Sequence, residues 1–260
     1  YIGSTWGGTI ANSGSIETGV GVAIDVSSHA ESGSSAYARS FVGGGWAYGY
    51  GILADFGYGE GDIVNAAGAA MDASATVRAD VEATALAGGT GSASAGIGGC
   101  VYLNQDYDCY GGSVAEATGI AARFGHLDGD VGNEGDIFAT AIVNQSATAT
   151  VERGTFSYGY AEASIGGGAA FATGIDVGIY GLATLEGDVF NTGRIAVEAH
   201  ADNEAVATIA IAGDPYNDYA NARAGGSVGA QAVGILVRSG YGPVDGDIYS
   251  AGEGSRIDAL

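Results

Sequence analysis

One short phrase recurs along the chain at a nearly constant interval. Residues 129–137 and 187–195 share the pattern Gly-Asp-Val-x-Asn-x-Gly-x-Ile, residues 8–16 fit it except at Thr9, and two further segments carry its first half. The opening glycines are 53, 68, 58 and 59 residues apart: Gly8, Gly61, Gly129, Gly187 and Gly246. Such a period is typical of repeat proteins, in which each unit buries its apolar face by stacking on its neighbours.

A second phrase keeps step with the first. The pattern Ala-x-Ala-x-Gly-Ile begins at Ala115, Ala170 and Ala230, each time after a cluster of glycines. We therefore expect residues 1–260 to form one continuous body of four units, which start near Gly8, Gly61, Gly129 and Gly187. A partial fifth unit starts at Gly246, so the chain resembles a window cut from a longer array.

Small side chains dominate the composition. Hydrophobic residues make up 47% of the 260 residues, alanine is the commonest of them, and there are 49 glycines. Such side chains suit thin layers in which backbones approach closely. The prediction is an all-β fold, a narrow repeat β-solenoid rather than a sandwich or a barrel.

Strict alternation marks the strands. From Met71 to Ala87 every odd residue is apolar, and every even residue except Leu86 is polar or charged. A period of two predicts a strand whose odd positions face the interior. Each unit holds about four such strands. We expect two rungs per unit, with a stack of long hairpins as the competing geometry.

The strongly negative net charge limits which partners the chain can bind. Thirty acidic residues face eight basic ones, for a net charge of −22. Nucleic-acid binding needs basic residues to neutralise phosphates, so it is not expected, and anionic membrane surfaces would repel the chain. No run approaches the roughly 20 apolar residues of a membrane-spanning helix, so no membrane insertion is predicted.

The repeated phrase predicts a structural corner. Asp and Asn side chains hydrogen-bond nearby backbone amides and tolerate left-handed backbone, and equivalent asparagines can stack into a ladder. The ladder is predicted for Asn12, Asn65, Asn133 and Asn191. The corner residues are Asp62, Asn65, Asp130, Asn133, Asp188, Asn191 and Asp247.

One corner could instead bind calcium, the only cofactor that the sequence suggests. Oxygen ligands concentrate between residues 128 and 136, and Ca²⁺ takes six to eight of them. The spacing does not match an EF-hand, so a structural turn stays the alternative. The candidate ligands are Asp128, Asp130, Asn133, Glu134 and Asp136.

Unit two carries an inserted loop, residues 98–112. Cys100 and Cys109 enclose it, and because the acidic chain is expected to be secreted, this pattern predicts a disulfide. The loop also holds Tyr102, Tyr107 and Tyr110. A unique patch of this kind would suit the tip of an adhesin.

No catalytic constellation is visible. His29, His126 and His200 lie in different units, and no Gly-x-Ser-x-Gly nucleophile elbow occurs. A β-helix polysaccharide lyase would need a basic residue clustered with acids, and none is evident. The prediction is that the protein is not an enzyme. The chain has 15 tyrosines. They could form exposed rows that bind sugars or neighbouring subunits, or they could be buried and fill the corners of the fold.

The two phrases and the Ala-Thr-Ala-Thr segment at 147–150 resemble passenger regions of bacterial autotransporter-like surface proteins. The resemblance covers essentially the whole chain. It implies a right-handed parallel β-helix, an extracellular or cell-surface location, and a role as a fibre, surface coat or adhesin. It carries over no catalytic residues.

The expected function is therefore a non-enzymatic extracellular structural protein. Its two ends lie at nearly the same phase of the repeat, so copies are expected to stack head to tail into a filament. The alternative is an adhesin passenger region that binds a glycan or a host surface.

Overall fold

The computed structural model describes most of the chain. For residues 99–103, 106–110, 153 and 211 it describes the backbone only. The described residues are 5–103, 106–110, 112–153, 158–180, 184–211, 218–224, 228–239, 243–252 and 255–260. Most of them lie in β-strands and none in a helix.

Four parallel sheets make up the fold, and each complete unit adds one strand to each of them. The long sheet has four strands of 18 residues, which carry the alternating pattern, and a shorter fifth strand. In spatial order from one edge to the other it contains β3 (Ser15–Ser32), β7 (Ala70–Ala87), β13 (Asp136–Arg153), β18 (Arg194–Ile211) and β23 (Arg256–Ala259).

The other three sheets follow the long sheet along the chain. The short sheet comprises β4 (Ala36–Val42), β8 (Gly91–Ile97), β14 (Gly159–Ile165) and β19 (Tyr219–Ala224). The middle sheet comprises β1 (Thr5–Gly7), β5 (Trp46–Glu60), β11 (Ser113–Asp128), β15 (Gly168–Ile179) and β20 (Val228–Ser239), with β16 (Leu185–Glu186) and β21 (Val244–Asp245) continuing it. The corner sheet comprises β2 (Ile10–Asn12), β6 (Ile63–Asn65), β12 (Val131–Asn133), β17 (Val189–Asn191) and β22 (Ile248–Ser250).

Pairing between units is parallel and spans one whole unit. Asn65 pairs with Asn12 on one side and with Asn133 on the other. The expectation of two rungs per unit is therefore wrong, and so is the competing stack of hairpins. The reason is that the four strands of a unit go to four different sheets, so the chain needs the whole unit to return to its starting position.

The alternation in β7 has the predicted orientation. All nine odd positions from Met71 to Ala87 are buried, with at most 6% of the residue exposed, and the even positions are partly or fully exposed. The apolar face of the strand is thus the interior face, as the sequence predicted.

Each long strand covers two opposing sheets. The part of β7 that contains Met71, Ala75 and Val77 packs in one cluster with the middle sheet. The part from Ala79 to Ala87 packs in a second cluster with the short sheet. Alanine fills most buried positions of the second cluster, whereas the first is filled mainly by larger side chains such as isoleucine and valine. Small side chains let the opposing backbones of the second cluster lie close together.

The inserted loop is the exception to this parallel arrangement. Its strands β9 (Gly99–Leu103) and β10 (Asp106–Tyr110) pair with each other in antiparallel fashion, as a hairpin between the short-sheet and middle-sheet strands of unit two. In the described part of the chain, no helix is long and apolar enough to cross a membrane.

Candidate functional site

The turn into the corner sheet depends on glycine. Gly61 has a φ of +118°, and the equivalent glycines 8, 129, 187 and 246 also have positive φ. A Cβ on Gly61 would lie only 2.1 Å from the carbonyl oxygen of Gly8 in the neighbouring unit. Both the backbone conformation and the close stacking of units therefore require glycine at this position.

The aspartates that follow these glycines link successive units. The Asp62 carboxylate accepts a hydrogen bond from the backbone N–H of Asp130 at 3.0 Å. Asp130 accepts in the same way from Asp188 at 2.7 Å, and Asp188 from Asp247 at 2.8 Å. Each side chain thus binds the backbone of the next unit, at a position where the strand ladder would otherwise leave that N–H unpaired.

The four predicted asparagines come together as a ladder. Asn12 Nδ2 donates to Asn65 Oδ1 at 2.8 Å, Asn65 to Asn133 at 2.7 Å, and Asn133 to Asn191 at 2.8 Å. Asn191 ends the series by donating to Ser250 Oγ at 3.1 Å. Asn65, Asn133 and Asn191 are fully buried, so the ladder lies inside the fold.

A column of acids that the sequence reasoning missed runs beside this corner. Asp128 pairs in register with Glu60 on one side and Glu186 on the other, and Glu186 pairs with Asp245. These acids immediately precede the corner glycines, so the signal was the triplet acid-Gly-Asp, which occurs in units two to four and again at Gly246. Together with the corner aspartates they give the molecule an acidic edge.

Tyr58 lies at the acidic edge, and its pKa is shifted there. Its hydroxyl donates to Glu60 Oε1 at 2.9 Å. That hydrogen bond raises the pKa of Tyr58 above its ordinary value, with smaller contributions from desolvation and from the charges of Glu60, Asp128 and Glu186. The ring of Tyr58 stacks on His126, whose Nδ1 lies 2.6 Å from the hydroxyl of Thr184.

The structure does not gather the five candidate calcium ligands. Asp128, Glu134 and Asp136 are exposed on the outside, whereas Asn133 is buried and its Oδ1 accepts from Asn65. Among the described residues, no three His, Cys, Asp or Glu side chains form a group that could hold a metal ion. The corner of unit three is built as a structural turn in this structure.

The cysteines of the inserted loop face each other along the backbone. Cys100 and Cys109 are direct partners in the antiparallel pair, as are Tyr102 and Tyr107. The side chains of residues 99–111 lie outside the described part of the structure. The disulfide between Cys100 and Cys109 therefore stays a prediction.

Aromatic residues occur both inside and outside the fold. Phe56 and Phe124 stack in the interior, with ring centroids 5.8 Å apart. On the outer face of the short sheet, Tyr160 and Tyr219 stack at 5.4 Å, with ring planes 12° apart. Burial and the hydrogen bond from its hydroxyl to Glu162, at 2.6 Å, raise the pKa of Tyr160.

Comparison with known proteins gives no assignment. The chain matches no protein-family model, no curated protein and no solved structure. The similarity to autotransporter passenger regions is thus an expectation from the sequence phrases alone.

Proposed function

We propose that the chain is a non-enzymatic structural β-solenoid, with one coil per unit, that stacks end to end into an extracellular fibre or surface coat. The observation that carries the proposal is that residues of similar type occupy the same position in successive units and stack in columns. Equivalent side chains lie in register through the units, as in the corner column Ile10, Ile63, Val131, Val189 and Ile248.

The edges of the first and last described units support this assembly. Gly8 N and Ile10 N donate to Glu60 O and Asp62 O of the next unit. Backbone groups alternate in direction along a parallel strand, so the N–H groups of Thr9 and Ala11 point the other way. Unpaired strand edges are templates for pairing with another strand.

The opposite edge offers the matching partners. In the last three pairs of units the corner aspartate accepts the N–H of the residue at the same place one unit on. A second copy placed below β22 would bring the N–H of its Thr9 to the Asp247 carboxylate, and its Ile10 below Ile248. Contacts of this head-to-tail kind do not close on themselves, so they give filaments.

Electron microscopy and sedimentation of the 260-residue chain test the proposal. We expect uniform fibres with the width of one solenoid. The variant Ala11→Pro removes one edge N–H, and proline is tolerated on edge strands. It should leave the circular dichroism spectrum unchanged but abolish the fibres, while Ala11→Ser retains them. A wild-type chain that stays monomeric at high concentration would show the assembly proposal to be wrong.

The second candidate is an adhesin, and the hairpin β9–β10 favours it. It is the one antiparallel pair among the described strands, and it interrupts the repeat. Deletion of residues 98–112 should then abolish binding to a glycan or host surface without affecting fibre formation. If the deleted chain binds as well as the full chain, the hairpin is not the adhesive element.

A further inference from the structure

On the outer face of the short sheet, one register position holds tyrosine in three units and serine in the other. Tyr37, Ser92, Tyr160 and Tyr219 occupy the same register position in the four units. Where two tyrosines are direct neighbours, at Tyr160 and Tyr219, their rings stack face to face at 5.4 Å. Ser92 interrupts this stack between Tyr37 and Tyr160.

The interruption leaves a position one ring thick. Neighbouring strands lie about 4.8 Å apart, so Tyr37 and Tyr160 are attached to strands about 9.6 Å apart. A ring placed midway would lie about 4.8 Å from each tyrosine, within the range of favourable ring contacts of roughly 4.5–7 Å. We call this position, between Tyr37 and Tyr160 above Ser92, the tyrosine slot.

The tyrosine slot is accessible from solvent. Tyr37 is 63% exposed and Tyr160 is 38% exposed, and Ser92 is partly exposed. An exposed aromatic ring with one uncovered face lacks packing contacts on that face. The slot therefore offers apolar ring faces that the chain itself does not cover.

Polar groups surround the slot. Two residues further along the same strands, on the same face, are Arg39, Ser94 and Glu162. Arg39 is exposed and makes no ion pair within the described residues, yet its charge acts on the hydroxyl of Tyr160. Ser92 adds a hydroxyl at the base, without a hydrogen-bond partner among the described atoms.

We propose that the tyrosine slot binds one ring of a neutral saccharide between Tyr37 and Tyr160. The C–H faces of a sugar ring suit the two aromatic walls, and its hydroxyls suit the donors and acceptors of Arg39, Ser92 and Glu162. A purely aromatic ligand would leave these polar groups unused. The net charge of −22 disfavours an anionic polysaccharide.

Titration of the full chain with neutral oligosaccharides tests the proposal. The probes are hexamers of β-1,4-linked glucose, α-1,4-linked glucose and β-1,4-linked N-acetylglucosamine, followed by calorimetry and by the NMR signals of Tyr37 and Tyr160. We expect at least one hexamer to bind. Tyr37→Ala should weaken that binding about tenfold, because it removes one aromatic wall.

Ser92→Tyr is the sharper variant. The added ring completes the column and fills the slot, so it should abolish binding while raising the melting temperature. Tyr48→Ala, which removes an exposed tyrosine on the middle sheet, is the control and should bind as the wild type does.

Three results would overturn the proposal. They are the absence of binding to all three hexamers, undiminished binding by Ser92→Tyr, and binding of phenol or indole without any saccharide. Fibre formation is measured separately and does not depend on the slot, so failure of one proposal leaves the other intact.

Discussion

At the scale of single residues, the corner asparagine joins three units at once. Asn133 accepts from Asn65 and donates to Asn191, to Gly135 O at 2.9 Å and to Arg194 O at 3.2 Å. All of these groups lie in the interior, where a lost partner costs about 1–3 kcal/mol for each orphaned group. The amide therefore fixes both the turn and the vertical alignment of the units.

Replacing Asn133 by alanine should lower the free energy of unfolding by about 3 kcal/mol, because Asn65 and Asn191 lose their partner in the buried ladder. Urea denaturation followed by circular dichroism measures the change. Asn144→Ala is the matched control, since Asn144 is exposed on the outer face of β13, and it should change stability by less than about 0.5 kcal/mol. Equal effects of the two changes would contradict a stabilising role of the ladder.

At the scale of elements, each long strand has one solvent-exposed face and one buried face. Ala79 is fully buried, pairs in register with Ile24 and Gln145, and lies where the short-sheet cluster begins. The interior there is filled by alanines and a few larger side chains. A long charged side chain has neither space nor a counter-charge in such a layer.

Ala79→Glu should therefore destabilise the fold by about 3–5 kcal/mol, the cost of an uncompensated buried charge. Thr76→Glu, at an outward position of the same strand, should cost less than about 1 kcal/mol. Melting temperatures of the two variants give the comparison. If Ala79→Glu were as stable as Thr76→Glu, the assignment of interior and exterior faces would be wrong.

At the scale of the whole molecule, the acidic edge opposes the stacking of units. Glu60, Asp128, Glu186 and Asp245 lie in one column, and like charges directly opposite one another on neighbouring strands are destabilising. Such repulsion between exposed charges is screened by salt, with a Debye length of about 30 Å at 0.01 M and about 3 Å at 1 M.

We therefore expect the melting temperature to rise as sodium chloride increases from about 0.01 M to about 1 M. Asp128→Asn removes the charge in the middle of the column, so this variant should melt higher than the wild type at low salt and respond less to added salt. Asp72→Asn, an exposed aspartate on the long sheet, should change the salt response less. A melting temperature that falls with salt would contradict the idea that repulsion at this edge limits stability.

The sequence by itself determined the parts of this protein that depend on local pattern. The spacing of the opening glycines gave the units, the alternation from Met71 to Ala87 gave the interior face, and the Asn positions of the phrase gave the members of the ladder. These features could be predicted because side-chain direction in a strand and backbone conformation at glycine depend on neighbouring residues.

Only the tertiary structure decided which units and strands lie next to one another. The pairing of Asn65 with Asn133 across a whole unit, the acidic column through Asp128, and the interruption at Ser92 between Tyr37 and Tyr160 all depend on it. The folded chain also separates the candidate calcium ligands between 128 and 136: Asn133 is buried in the ladder, whereas Asp128, Glu134 and Asp136 are exposed on the outside. Residues that are adjacent in sequence are thus separated, while residues a whole unit apart come into contact.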